Sequence, residues 1–105
     1  MKFAAILALI LLLPAMTMAG NYKNFGVAVY ARAYEVQQMK DPAWLEKTWA
    51  VITTGLKVDK IYLEVHRDGV IPDQDTIDKA KAFFKSKGVQ TSAGIATVVN
   101  ELNNF

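Results

Sequence analysis

The sequence predicts an α/β protein built on a parallel sheet, and three observations carry that prediction. Three short runs with strand composition, at residues 25–34, 60–66 and 89–98, alternate with two stretches of helical spacing. Each helical stretch is about a dozen residues, long enough for the right-handed crossover that joins parallel neighbours. No low-complexity segment or linker interrupts the pattern after residue 20, so the three strands belong to one βαβαβ unit.

The chain opens with a different kind of segment. Lys2 supplies a positive start, residues 3–13 form an uninterrupted apolar run, and Pro14 ends it. Thr17 and Ala19 then place small residues where a cleavage site before Gly20 requires them. Residues 1–19 therefore read as an export signal, and the mature protein, from Gly20 onward, is expected to be secreted or periplasmic. A spanning helix needs about 18 apolar residues, so no membrane association is expected after cleavage.

Composition excludes several function classes. The chain has 12 basic and 10 acidic side chains, one histidine and no cysteine. Loss of Lys2 leaves 11 basic residues against 10 acidic, and the lysines are interspersed with acids rather than clustered, so no nucleic-acid partner is expected. Without cysteine there is no disulfide, thiol nucleophile or thiolate metal site, and a single histidine makes no His-rich zinc site. No cofactor and no metal are expected.

Each element has its own signature. Residues 25–34 are rich in valine, alanine and tyrosine, as in a strand buried on both faces, and residues 35–40 read as the turn that follows it. Asp41-Pro42 marks a helix start, with Asp41 as cap and Pro42 in the first turn. Trp44, Leu45, Thr48, Trp49, Ile52 and Leu56 follow at helical spacing, and Gly55 lies near the stop. Residues 60–66 put Ile61, Leu63 and Val65 on one face and Tyr62, Glu64 and His66 on the other. A turn-rich loop runs from Arg67 to Pro72, and Asp73 or Asp75 caps a second helix with Ile77, Ala80, Phe83 and Phe84 inside, ending at Lys87-Gly88. The third strand is interrupted by Gly94.

A doubly wound nucleotide binder would carry a glycine-rich turn after strand one, and residues 35–40 contain no glycine. A (β/α)8 barrel instead wants small residues low in its interior and polar ones at the C-terminal mouth. The alternate residues Gly26, Ala28, Tyr30, Arg32 and Tyr34 grow in that sense, and Tyr62, Glu64 and His66 agree. The expected fold is thus the first three strands of a TIM-type barrel, truncated, since a full barrel takes roughly 200 residues or more. Open edges on strands one and three would invite self-association.

The segments Val27-Ala28-Val29-Tyr30-Ala31-Arg32-Ala33-Tyr34-Glu35-Val36 and Val58-Asp59-Lys60-Ile61-Tyr62-Leu63-Glu64-Val65-His66-Arg67-Asp68 resemble the first two strands of secreted bacterial glycoside-hydrolase-like barrel proteins. The resemblance implies a carbohydrate substrate. It also implies that the catalytic carboxylates belong to strands four and seven, so none is assigned here.

Arg32, Glu64, His66 and Arg67 are the candidate substrate-binding residues, with Glu35 and Asp68 as further candidates. Arg32 and Glu64 should face each other from adjacent strands, either as a pair that hydrogen-bonds sugar hydroxyls or as one that fixes strand register. His66 ends strand two, where barrels place ligands, or is satisfied by Asp68 or a loop carbonyl. Arg67 and Asp68 either bind substrate or fix the loop, since a turn before Gly69 favours aspartate. Trp44 and Trp49, on a helix outside the barrel, are expected in the core or at a subunit contact rather than against sugar. Two functions follow: the N-terminal portion of an exported carbohydrate-acting hydrolase, inactive by itself, or a non-catalytic exported domain that binds carbohydrate or a protein, or an inactive remnant.

Overall fold

A computed structural model describes residues 22–97; the export-signal reading and the end of the predicted third strand lie outside them. The order of elements is β1 (Ala28–Ala31), α1 (Ala33–Gln38), α2 (Pro42–Gly55), β2 (Lys60–His66), α3 (Gln74–Ser86) and β3 (Gln90–Ile95). The three strands form one parallel sheet in the order β1-β2-β3. The fold class is α/β, as the alternating pattern predicts.

The helices start where the sequence marks them. The Asp41 carboxylate accepts from the backbone N–H of Ala43 and Trp44, with Pro42 in the first turn. Asp73 rather than Asp75 caps α3, accepting from Thr76 N–H at 2.7 Å. Both orient a carboxylate at the orphan amides of a helix start.

Both long helices pack on one face of the sheet. Val29, Ala31, Ile61 and Leu63 meet Leu45 and Trp49 from α2 and Ala80 and Phe84 from α3. Trp49 and Phe84 join the two helices edge to face, with ring centroids 5.1 Å apart. Trp49 is thus core, as expected, while Trp44 is half-buried and lines an apolar groove beside β1 together with Val29 and Ile52.

Two expectations for strand one are corrected. It is not buried on both faces: Val29 and Ala31 face the helices, whereas Ala28 and Tyr30 are exposed on the other side. It also ends at Ala31, and residues 33–38 form α1 instead of strand and turn. The cause is local. Glu35 accepts from the Arg32 backbone N–H at 3.0 Å and from the Arg32 side chain, so the Glu35 carboxylate caps the start of a helix at Ala33. Strand composition at residues 32–34 is overridden by that cap.

Candidate functional site

At the C-terminal ends of β1 and β2 the side chains form one polar cluster with Glu64 at its centre. Glu64 is fully buried, and its two oxygens are saturated. Oε1 accepts from the Tyr30 hydroxyl at 2.9 Å and Oε2 from the Ala33 backbone N–H at 2.7 Å. The Arg67 Nε–H lies 3.1 and 2.8 Å from the two oxygens. A buried carboxylate is tolerated only with such partners. Burial by itself would raise the Glu64 pKa; Arg67, the Ala33 amide and the Tyr30 hydroxyl outweigh it and hold the group below the ordinary glutamate value.

A second carboxylate lies nearer solvent. Glu35 forms an ion pair with Arg32, and that hydrogen bond is the main reason its pKa is lowered. The Arg32 guanidinium also sits 5.7 Å from the centre of the Tyr34 ring. The Tyr34 hydroxyl in turn donates to Asp68 at 3.1 Å.

Asp68 owes its place to a tight turn. Asp68 and Gly69 both have positive φ, 50° and 77°, and Arg67 and Val70 exchange both backbone hydrogen bonds. That is a two-residue hairpin of the type I′ class, for which Asp-Gly is a preferred pair. The hairpin fixes Arg67 at its base, directly beside Glu64.

The open face of the sheet completes the cluster. Tyr30 is 50% exposed and stacks loosely on Tyr62, with centroids 6.4 Å apart and planes 25° from parallel. The Tyr30 ring lies down across β2 as far as β3: a Cβ at Gly94 would sit 2.9 Å from its Cε2 and hydroxyl oxygen. A side chain at residue 94 would push the end of the Tyr30 ring from this position.

The structure thus brings together Arg32, Glu35, Glu64, Arg67 and Asp68, but not in the expected pairs. Arg32 does not face Glu64: the early end of β1 turns it to Glu35, and Arg67 takes the place beside Glu64. His66 ends β2 and is exposed, and a bulge between Glu64 and His66 breaks the alternation that placed both on one face. Asp68 is bonded to Tyr34. Tyr30, Tyr34 and Gly94 belong to the cluster, although only the interruption of strand three by Gly94 marked the contact in the sequence.

The chemistry open to this cluster is limited by the pairing. A general acid in glycoside cleavage must hold a proton near neutral pH, which calls for a raised carboxyl pKa. Glu35 and Glu64 are both lowered. They act here as acceptors that fix arginines, an amide and a phenol in place.

Residues 15–105 match the family described as probable glycosyl hydrolase, catalytic domain. No curated protein and no solved structure matches the chain. The chain belongs to this glycosyl hydrolase catalytic-domain family.

Proposed function

We propose that residues 22–97 are the opening βαβαβ portion of a carbohydrate-acting (β/α)8 barrel, and that they bind and orient sugar rather than cleave it. The observation that carries this reading is the Glu64 cluster at the C-terminal strand ends, the end at which barrel enzymes hold their substrates. Membership of the glycosyl hydrolase family supports carbohydrate as the ligand class. The sheet supports the barrel: its strands advance in one direction with both long helices on one face, whereas a doubly wound sheet reverses direction and covers both. Cleavage requires two carboxyl groups flanking one bond, one of them protonated, and Glu35 and Glu64, both held below the ordinary glutamate value by their donors, do not supply the protonated one.

Export belongs to the same proposal, supported by Lys2, the apolar run at residues 3–13 and the small residues Thr17 and Ala19. Mass spectrometry of extracytoplasmic material is expected to give a new N-terminus at Gly20; intact Met1 there would refute cleavage.

The carbohydrate reading is tested by native electrophoresis of the full chain through gels containing soluble xylan, glucan or mannan. Retardation by at least one polysaccharide is expected, with no release of nitrophenol from aryl-glycosides. Unchanged mobility in all three gels refutes the carbohydrate ligand. Nitrophenol release that disappears in Glu64→Gln refutes the non-reacting role of Glu64.

A further inference from the structure

The geometry points to the Tyr30 ring as the platform on which one uncharged pyranose ring rests, with Glu64 as the positioning residue that holds the platform flat. This rests on the carbohydrate reading above and adds to it a contact residue and a substrate class.

The ring is fixed at both ends. Its Cβ is set by β1, paired in register with Tyr62, and its hydroxyl is tied to the buried carboxylate of Glu64 at 2.9 Å. Gly94 removes the side chain that would lift it off the sheet. Half of the Tyr30 surface stays open to solvent beside the cluster, which leaves aromatic surface available to a ligand. An aromatic face is electron-rich and matches the weakly positive C–H groups of a sugar ring, while losing little rotational freedom on binding. Tyr62 extends the aromatic surface on one side, and Lys60 Nζ lies over the Tyr62 ring 4.7 Å from its centre.

The charge pattern selects the class of sugar. Both guanidinium groups of the cluster already face a carboxylate of this chain, Arg32 on Glu35 and Arg67 on Glu64. An acidic sugar held by either guanidinium would have to displace one of those pairs, and at Arg67 it would strand a fully buried carboxylate. An uncharged sugar needs no such exchange. It can hydrogen-bond to the outer rims of the pairs as they stand, since charged partners make strong bonds to hydroxyls.

Isothermal titration of the full chain with xylohexaose, cellohexaose, mannohexaose and hexagalacturonate tests the proposal. At least one uncharged hexaose is expected to bind, and hexagalacturonate to bind more weakly. Tyr30→Ala should weaken binding of that hexaose by about tenfold or more, Tyr30→Phe by less because the ring remains, and Glu64→Gln to a level between them. Leu45→Ala, in the core under α2, serves as the stability control: its melting temperature should fall with affinity unchanged. Labelling tyrosine at Cζ gives a direct signal, since the Tyr30 resonance should move when the hexaose is added. Hexaose binding that is unaffected by Tyr30→Ala, or stronger binding of hexagalacturonate, overturns the platform while leaving the carbohydrate reading intact. If no hexaose binds the unmodified chain, the carbohydrate reading fails and the platform with it.

Discussion

Replacing Glu64 by glutamine removes one charge and almost no volume, which isolates what the carboxylate does. In the native cluster every approach to its oxygens is by a donor: the Tyr30 hydroxyl, the Ala33 amide and the Arg67 Nε–H. A glutamine offers one acceptor oxygen and one NH2 group. Turned either way, it aims its own N–H at another donor, and at least one buried donor loses its partner. An unmatched buried polar group costs about 1–3 kcal/mol. Removing one member of a buried ion pair costs about 3–5 kcal/mol, but the Arg67 side chain retains 16% exposure, which places this case at the low end. About 3 kcal/mol is the expected loss, or a fall of roughly 12 to 24 °C in melting temperature for a domain of this size. Circular dichroism melting of the full chain and the variant at neutral pH reads it. A fall smaller than about 3 °C, equivalent to roughly half a kcal/mol, would refute Glu64 as the hub of the cluster.

Other outcomes follow from neighbouring contacts. Gly94→Ala should cost about 1–3 kcal/mol by overpacking against Tyr30, and in a Tyr30→Ala background most of that loss should vanish; equal losses in both backgrounds would refute the contact. Gly69→Val, at φ 77° in the hairpin, should destabilise the chain by about 1–3 kcal/mol, measured by urea unfolding, whereas Asp68→Asn should be nearly neutral. Stability should fall in acid. Glu35 and Glu64 are lowered from 4.5, and Asp59 and Asp73 from 3.8, the last two chiefly by the backbone N–H groups of Val27 and Thr76. A carboxylate with a depressed folded pKa contributes stability that is complete above its unfolded value and lost as pH falls through its folded one. Unfolding midpoints should therefore decline below about pH 4.5 and less steeply in Glu64→Gln; identical acid profiles would count against the assignment.

The fold was legible because its signals are local and redundant. Residues 60–66 become β2 with the bounds read from the sequence, although a bulge after Glu64 breaks their alternation, and Asp41-Pro42 and Asp73 start α2 and α3 as capping chemistry requires. The end of β1 was not legible, because residues 32–34 suit a strand by composition and a helix start by one local cap, the Glu35 carboxylate on Arg32. That contact spans only three residues, Arg32 to Glu35, yet it is reinforced from 31 residues away by Glu64 accepting from the Ala33 N–H. Alternation carries no information about such a long-range partner.

The same cause explains the site. The charged residues around Glu64 could be named from the sequence as strand-end and loop groups, but their pairing depends on where β1 stops. Had β1 continued through Tyr34, Arg32 would have projected beside Glu64 and left Arg67 to the loop. Because it stops at Ala31, the N–H of Ala33 becomes a donor to Glu64, and the Asp68-Gly69 hairpin brings Arg67 back as the countercharge. A carboxylate with three donor groups around it has no use for a second arginine, so Arg32 closes on Glu35 instead. The tyrosines follow from this exchange. With the Glu64 oxygens fixed by backbone and guanidinium, the Tyr30 hydroxyl reaches Glu64 with the end of its ring over residue 94, where glycine leaves it room.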